Sequence, residues 1–374
     1  MKALLIAICL LLGPSSALQP SWPLWTHYVE HFMQQDGRVV DHDRNDLTTS
    51  EGQSYAMFFA LVANDRVRFD RSYLWTVKNL ADGNLEQNLP AWSWGRKQDG
   101  TWGERDTNSA SDADLWIAYD LMQAGRLWQH PAYTIAGEKL LKLIADKEVF
   151  HSHSFPVLLP AQTGFEHDDK IVVNTSYMPL FLFQAASKAQ PAGPWVAMTA
   201  SLPALVRGAT ITGFAADWVE IAPDGTMRPT TSLSSDAGQA TGSYDAIRVY
   251  LWAGITSPST PGRNAILKDL SGMTSYMKVH SLPPEFVMEN QPATRGTGPI
   301  SFSAALIPFL QASQASESAA LQEKRLNSAW SRQSGMYGQP PHYYDQNLAM
   351  FALGYIEHRY RIRNNGDLEV SWQR

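Results

Sequence analysis

Helical periodicity runs through almost the whole chain, and it restricts the possible folds more than any other feature of the sequence. Apolar residues recur every three to four positions, as on the buried face of an amphipathic helix. In the second such segment, Tyr55, Phe58 and Val62 lie three and then four residues apart. Twelve segments show the pattern: 22–36, 50–64, 68–80, 111–128, 131–147, 176–189, 194–208, 243–255, 262–279, 300–313, 316–332 and 344–362. The chain is therefore predicted to be all-α in class.

The length of the chain allows these helices to build one closed structure. Its 374 residues, of which 44% are hydrophobic, can bury a large core, and we expect residues 18–374 to form a single domain. Helices joined alternately by short and longer loops favour six helical hairpins closed into a double-layered toroid, and other all-helical arrangements remain open. Residues 217–222, followed by a turn at Asp224 and Gly225, predict one small β-hairpin.

The N-terminus has the features of a secretory signal. Lys2 precedes an apolar run over 3–12, and the small residues of 13–17 follow it. We expect 1–17 to be a signal peptide, and the mature protein to be periplasmic or secreted by a bacterium without membrane insertion. The alternative, a membrane anchor, needs an apolar run about twice as long. The single cysteine, Cys9, lies in this run, so the mature chain would carry no thiol.

Charge and residue spacing argue against several kinds of partner. The formal net charge is -6, and lysine and arginine are scattered, so the chain offers no basic surface for nucleic acid or anionic lipid. His151 and His153, with His167 and Asp168, could approach a zinc ion, but histidines spaced in this way in a loop lack a fixed third ligand. We therefore expect no metal and no cofactor.

Three acidic residues, Glu51, Asp112 and Asp245, each lie in the first turn of a predicted helix. These helices are the second, fourth and eighth, so in alternating layers they belong to one layer and point the same way. Their N-termini would share one rim, where the carboxyls could cooperate in hydrolysing a glycosidic bond. The alternative is structural, because a carboxylate in a first turn also stabilises a helix by about 0.3–1 kcal/mol.

The neighbours of two of these carboxyls suggest different roles. Glu51 is followed by Gly52, and its helix buries Tyr55, so the Glu51 carboxyl would lie at a partly desolvated rim. Such a rim raises the pKa of a carboxyl and suits a general acid. Asp245 is followed one turn later by Arg248, whose charge would hold the aspartate ionised and oriented as a base.

The third carboxyl has a rival close by in the sequence. Asp112 and Asp114 are two positions apart, so on a helix they point to different sides and only one can face the cleft. We favour Asp112 as a ligand of sugar hydroxyls and Asp114 as a structural carboxylate, with Ser111 as the helix cap.

Aromatic residues supply candidate surfaces for sugar. The chain has 13 tryptophans and 14 tyrosines, most of which should belong to the core. Trp92, Trp94 and Trp102, however, lie among polar residues in the loop 82–110, which has no periodicity of its own. We expect this loop to be functional and its three rings to stack on the apolar faces of a glucan chain.

Three segments carry a resemblance to a known family. Residues 49–55, 110–118 and 243–248 are similar to the acid motif, the signature and the base segment of glycoside hydrolase family 8, in the family's order. The resemblance implies an (α/α)6 toroid with an open cleft, inverting endo-hydrolysis of β-1,4-glucan (cellulose), and a functional link to a bacterial cellulose synthase complex. Asp120 departs from the signature, which usually has a small residue there, and this departure concerns local packing.

The same resemblance assigns roles by motif. Glu51 would be the general acid, Asp245 the base that activates water, and Asp112 a residue that binds and distorts the central sugar. Further residues would line the cleft: Tyr55, Tyr177, Tyr244 and Arg248. Two rival functions stay open. One is a polysaccharide lyase on a similar helical toroid, which would need cations and a tyrosine or histidine base; the other is an exported glycan-binding protein without turnover.

Overall fold

Helices make up most of the structure, a computed structural model that describes residues 22–151, 155–231, 240–289 and 293–373. The predicted signal peptide lies outside these residues. Within them, thirteen helices follow one another: α1 (Pro23–Phe32), α2 (Ser50–Val62), α3 (Arg66–Leu80), α4 (Ser111–Leu127), α5 (Pro131–Lys147), α6 (Leu180–Ala189), α7 (Trp195–Gly208), α8 (Ala246–Ile255), α9 (Arg263–Asp269), α10 (Ser271–Val279), α11 (Ile300–Ala312), α12 (Ser316–Ser328) and α13 (Tyr343–Ile356). Twelve were predicted, and the difference is segment 262–279, which is broken at Leu270 into α9 and α10.

Short antiparallel strands connect the helices. Over the described ranges they are β1 (Thr48–Thr49), β2 (Ser93–Arg96), β3 (Trp102–Asp106), β4 (Val149–His151), β5 (Pro156–Leu158), β6 (Glu166–His167), β7 (Lys170–Val173), β8 (Thr210–Ile211), β9 (Phe214–Ala215), β10 (Trp218–Ile221), β11 (Met227–Thr230), β12 (Ala240–Gly242), β13 (Phe286–Met288), β14 (Thr294–Arg295), β15 (Trp330–Ser331), β16 (Met336–Tyr337), β17 (Tyr360–Ile362) and β18 (Leu368–Val370). The largest sheet has four strands in the order β11-β10-β7-β6. Short 3-10 turns lie at 42–44, 175–177 and 371–373.

The helices form two concentric layers. The inner layer consists of α2, α4, α6, α8, α11 and α13, most of whose residues are buried. Each inner helix packs against an outer partner with an exposed face: α3, α5, α7, α9, α12 and α1 respectively. Around the ring, α2 contacts α4, α4 contacts α6, and α8, α11 and α13 follow until α13 returns to α2. Phe181 of α6 and Trp252 of α8 close the remaining step, with ring centroids 6.2 Å apart. The predicted double-layered toroid of six helical hairpins is confirmed.

Aromatic side chains from the inner helices fill the middle of the ring. Trp116 of α4 lies 5.2 Å from Phe58 of α2, 5.4 Å from Trp252 of α8 and 5.2 Å from Phe351 of α13, measured between ring centroids. Such edge and tilted contacts are the favourable arrangements for aromatic pairs. Replacing a buried ring of this kind by alanine typically costs about 3–5 kcal/mol. These contacts hold α2, α4, α8 and α13 together at the centre of the ring.

Two predictions concern the strands. The hairpin predicted at 217–222 is confirmed as β10 and β11, and its turn contains Gly225 with a φ of 85°, a left-handed conformation that glycine adopts without strain. The prediction of an irregular loop over 82–110 is wrong, because β2 and β3 form a hairpin there. Its strands are stabilised by pairing with β1, a partner distant in the sequence that local periodicity does not reveal.

Several helix boundaries also differ from the prediction. The last helix ends at Ile356 instead of continuing to 362, because residues 360–362 turn back to pair with β18. The eighth helix begins at Ala246 instead of 243. In the part of the chain that the structure covers, no helix combines the length and apolar character needed to cross a membrane.

Candidate active site

Arg248, on α8, lies at the centre of a cluster of acidic and aromatic residues at the N-terminal ends of the inner helices. Its Nη1 donates to Asp112 Oδ2 at 3.3 Å and to the Tyr55 hydroxyl at 3.2 Å. Its Nη2 donates to Asp245 Oδ1 at 2.7 Å and to Ser176 Oγ at 3.1 Å. Arg248 is only 8% exposed, so these charge-assisted bonds form away from bulk water. One guanidinium thus ties together α2, α4, α8 and the 3-10 turn before α6.

Glu51 lies beside this cluster in the first turn of α2. The Thr49 hydroxyl caps the helix by accepting the Gly52 N–H at 3.1 Å. The Glu51 carboxyl has a buried Oε2 that meets no hydrogen-bond donor among the described residues. Burial raises the pKa of Glu51, and the charge of Arg248 opposes part of that rise. The protonated form of the Glu51 carboxyl is therefore favoured more than that of a solvated glutamate.

Gly52 has a steric role next to Glu51. A Cβ at position 52 would lie 2.0 Å from the Tyr343 hydroxyl, so only glycine lets Tyr343 of α13 approach this close to the start of α2. Tyr343 is half-buried, and burial of its hydroxyl raises its pKa well above the ordinary value. Tyr343 was not predicted to belong to the site, because no local sequence pattern marks it as a neighbour of Glu51.

Asp112 and Asp114 point to different surroundings, as their spacing on α4 requires. Asp112 is 2% exposed, and its Oδ1 accepts the Ala113 N–H at 2.8 Å while Oδ2 faces Arg248. Burial and then the charge of Glu51 raise the pKa of Asp112 to about 8, against the lowering effect of Arg248. Asp114 is fully buried against Glu148, and burial and that second carboxyl raise its pKa well above the ordinary range.

The predicted cap of α4 is wrong. Ala110 occupies the N-cap position, and the Ser111 hydroxyl meets no hydrogen-bond partner within the described residues. Ser109 instead donates to Glu148 Oε1 at 2.6 Å and accepts the Gln162 N–H at 3.0 Å. The chain entering α4 is therefore held by tertiary contacts to the segment after α5.

Asp245 lies one residue before α8, at its N-cap, and not in the first turn as predicted. Its φ of -82° and ψ of -50° are helical, and its side chain pairs with Arg248 instead of capping the helix. The side chain is 31% exposed, whereas Asp112 and Arg248 are almost fully buried. Asp245 is thus the carboxylate of the cluster that reaches water most readily.

Asp217 caps α8 in place of Asp245. Its Oδ1 accepts backbone N–H groups from Ser243 at 2.9 Å, Asp245 at 3.1 Å and Ala246 at 2.7 Å. Its Oδ2 accepts the Ser243 hydroxyl at 2.7 Å. Asp217 is 4% exposed, and burial and then the charge of Asp245 raise its pKa to about 6. No local sequence pattern marks Asp217 as a cap, because it immediately precedes β10 and is remote in sequence from α8.

Tyrosines surround the two carboxylates that Arg248 joins. The Tyr177 ring lies 5.5 Å from the Arg248 guanidinium carbon, in the 3-10 turn that also presents Ser176. Tyr244 is 39% exposed, its ring lies 5.5 Å from that of Tyr344, and its backbone oxygen accepts the Tyr344 hydroxyl at 2.6 Å. The structure therefore brings Tyr177 and Tyr244 to the cluster, as predicted, and adds Tyr344 from α13.

The three predicted tryptophans separate into two positions. Trp92 is bound at the entrance to α2, where its backbone oxygen accepts the Ser50 N–H at 3.1 Å. Trp94 and Trp102 stack with ring centroids 5.5 Å apart on the β2–β3 hairpin, and Arg38 lies 4.5 Å and 4.7 Å from their rings. Trp94 also contacts Trp75 of the outer helix α3 at 5.3 Å. Trp92 thus lies at the start of α2, where Glu51 is also placed, whereas Trp94 and Trp102 form an aromatic patch toward the outer layer.

Candidate metal ligands do not gather at this site. Among the residues that the structure describes, no three histidine, cysteine or acidic side chains are placed to hold an ion together. His151, His167 and Asp168 line a separate cavity of about 630 Å³ between β4 and the β6–β7 hairpin. His153, the other residue of the weighed zinc pattern, lies outside the described residues.

Sequence comparison relates the chain to known enzymes. The family model described as Glycosyl hydrolases family 8 matches residues 3–358. An endoglucanase from Xanthomonas axonopodis pv. citri (strain 306) is 40% identical over 376 residues, which cover 99% of this chain and 95% of that protein. An endoglucanase from Escherichia coli O157:H7 is 37% identical over 372 residues, covering 98% of this chain and 96% of that protein.

Structural comparison gives the same relation. The crystal structure of endo-1,4-D-glucanase from Vibrio fischeri ES114 superposes with a TM-score of 0.86 at 34% identity, covering 95% of this chain and all of that one. The endo-beta-1,4-glucanase CMCax from Acetobacter xylinum superposes with a TM-score of 0.70 at 22% identity over 89% of this chain and 97% of that one, and at this identity it supports the fold alone.

Proposed function

The chain belongs to glycoside hydrolase family 8, and from this premise we propose that it cleaves internal bonds of β-1,4-glucan (cellulose) with inversion at the anomeric carbon. The single observation that carries the proposal is the Arg248 cluster, in which one buried cation joins Asp112 and Asp245 next to the desolvated Glu51. The names of the relatives, which are endoglucanases at 37–40% identity over nearly the whole chain, support the same substrate.

The proposed reaction is a single displacement. Glu51 donates its proton to the glycosidic oxygen as the bond to the leaving sugar breaks. Asp245 accepts a proton from a water that attacks the anomeric carbon from the opposite face of the ring. Room for that water requires the Glu51 and Asp245 carboxyls to stand about 6.5–9.5 Å apart, whereas a separation of about 5 Å would suit a retaining enzyme.

The surroundings of the two carboxyls fit these opposite tasks. Glu51 has a buried oxygen without a hydrogen-bond donor among the described residues, which favours the protonated form that an acid needs. Asp245 accepts a hydrogen bond from Arg248 at 2.7 Å, which orients its carboxyl, and it keeps 31% of its side chain exposed, which leaves water within its reach. Asp112, held by the same guanidinium, is placed to bind hydroxyls of the sugar between them and favour its distorted ring.

The proposal is tested by release of reducing ends from carboxymethyl-cellulose. Glu51→Gln keeps the shape of the side chain and removes the proton, so we expect turnover to fall by about 10²–10⁴-fold while glucan binding is retained. Glu317→Gln is the matched control, since Glu317 occupies the equivalent second position of the outer helix α12 and is exposed. Full activity of Glu51→Gln would remove Glu51 from the mechanism.

The two rival functions give different products. A lyase would release an unsaturated uronic acid with ultraviolet absorbance, and a glycan-binding protein would release no reducing ends. The site argues against a lyase because it gathers carboxyl groups around Arg248, whose guanidinium is already paired with Asp112 and Asp245 and so is not available to bind a uronate. Reducing ends without ultraviolet absorbance would exclude both alternatives.

We propose further that residues 1–17 direct export, that 18–374 form one catalytic domain, and that the enzyme edits or degrades cellulose in the periplasm or outside the cell. The signal-like N-terminus and the motif resemblance support this setting. N-terminal sequencing of the exported protein would locate the cleavage site. Cellulose output from cells carrying Glu51→Gln, compared with cells carrying the native enzyme, would test the link to a cellulose synthase complex.

A further inference from the structure

Asp217 is a buried aspartate that contacts the turn carrying the base Asp245, and the proposed reaction does not use it. Asp217 accepts four hydrogen bonds, all from three residues of the stretch 243–246: Ser243, Asp245 and Ala246. One of these bonds comes from the backbone N–H of Asp245 itself, at 3.1 Å. The position and direction of the Asp245 carboxyl therefore depend directly on Asp217.

We infer that Asp217 is a positioning residue for the reaction, which aims Asp245 at the attacking water and whose negative charge favours transfer of the water proton to Asp245. This inference rests on the proposed function. When Asp245 takes up that proton, it loses its negative charge, and the repulsion between two neighbouring carboxylates is relieved. The proton comes from water and passes to Asp245, and Asp217 takes up no proton in this step.

Among the groups around Asp217, Asp245 is the one whose negative charge raises the pKa of Asp217. From α8, Tyr250 approaches and its hydroxyl accepts the Ala215 N–H at 2.8 Å; from α13, Tyr344 approaches. Burial raises the pKa of both tyrosines, so both are neutral where the enzyme works. Arg248 pairs with Asp245 and not with Asp217. The charge of Asp217 is consequently compensated mainly by N–H and O–H donors at the start of α8.

Two substitutions should move the pH profile in opposite directions. Asp217→Asn keeps an oxygen for the three N–H donors and removes the charge. We expect the plateau of kcat/KM to fall about tenfold, because a positioned base contributes about 10²–10⁴-fold to the rate and Asp217 supports only part of that contribution. Its acidic limb should move to lower pH, because no carboxyl remains at 217 to titrate. Ser243→Ala removes one donor to Asp217, which lets the pKa of Asp217 rise from about 6, so the acidic limb should move to higher pH.

The measurement is kcat/KM on soluble cello-oligosaccharides from pH 4 to 8, with thermal unfolding of each variant to verify the fold. Asp224→Asn is the matched control, an exposed aspartate in the β10–β11 turn of the same hairpin. Opposite shifts of the two variants support the inference. An unchanged limb in Asp217→Asn, with or without a lower plateau, would overturn it, since a purely structural cap would not move the limb. If Asp217→Asn does not fold, an unshifted limb in Ser243→Ala overturns it. Lack of activity in the native enzyme would instead contradict the proposed function.

Discussion

The buried carboxyl of Asp120 should make the stability of the enzyme fall as pH rises, and this prediction follows from burial alone. Asp120 lies in α4 with no exposed surface, and both of its carboxyl oxygens lack hydrogen-bond partners among the described residues. Burial is the cause that raises its pKa well above the ordinary value near 3.8. In the unfolded chain the group ionises near 3.8, whereas in the folded chain it ionises only at a higher pH.

The sign and size of the effect follow from proton linkage. Above the ordinary value the unfolded chain has released its proton and the folded chain has not, so the free energy of unfolding falls as pH rises. The loss approaches about 1.4 kcal/mol for each pH unit until the folded group ionises as well. Asp120→Asn removes the titration, so its stability relative to the native enzyme should grow with that slope. Asp120→Ala also removes an unpartnered polar group, a gain of about 1–3 kcal/mol before any loss of packing.

Urea unfolding at a series of pH values from 4 to 8 measures this slope. We expect Asp120→Asn to match the native enzyme near pH 4 and to exceed it increasingly at higher pH. Asp169→Asn, at an exposed position, is a control in which the removed carboxyl is solvated in both states. A difference between Asp120→Asn and the native enzyme that does not change with pH would refute the reasoning, because it would mean that Asp120 ionises in the folded protein as it does in water.

Two further predictions concern the site. Arg248→Lys cannot hold Asp112, Asp245 and the Tyr55 hydroxyl at once. Losing one charge-assisted bond, worth about 1.5–3 kcal/mol, should lower kcat about 10- to 150-fold in reducing-end assays. An unchanged kcat would contradict the assigned role of Arg248. Trp102→Ala removes the 48% exposed ring that stacks on Trp94. The KM for carboxymethyl-cellulose should then rise about three- to tenfold, as expected for the loss of one aromatic contact of about 0.5–1.5 kcal/mol. An unchanged KM would show that the patch does not contact the substrate.

The sequence contained enough information to predict the ring of helices. Tyr55, Phe58 and Val62 repeat with the period of an α-helix, and similar repeats mark the other helices. In the structure α2 is an inner helix, so its other residues from Gly52 onward are buried as well. Counting those helices in order was sufficient to place Glu51, Asp112 and Asp245 in the inner layer. Alternation of layers, and not any local pattern, predicted that the three would be neighbours.

Other parts of the site depend on contacts between distant segments. Asp217 and Ser243 are 26 residues apart, and no local pattern announces that an aspartate before a strand will cap a later helix. Tyr344 reaches Tyr244 across 100 residues for the same reason. The same kind of contact explains why Asp245 lies one residue before α8 instead of in its first turn. Asp217 accepts hydrogen bonds from the free N–H groups at the start of α8, and the Asp245 side chain can therefore pair with Arg248.

The most direct test of the mechanism follows the anomeric configuration of the first product by proton NMR during hydrolysis of cello-oligosaccharides. Attack by water that Asp245 activates, opposite to the bond that Glu51 protonates, predicts that the α-anomer appears first and that the β-anomer forms only later by mutarotation. Early appearance of the β-anomer would show retention of configuration, and it would contradict the assignment of Glu51 and Asp245 as the acid and base of a single displacement.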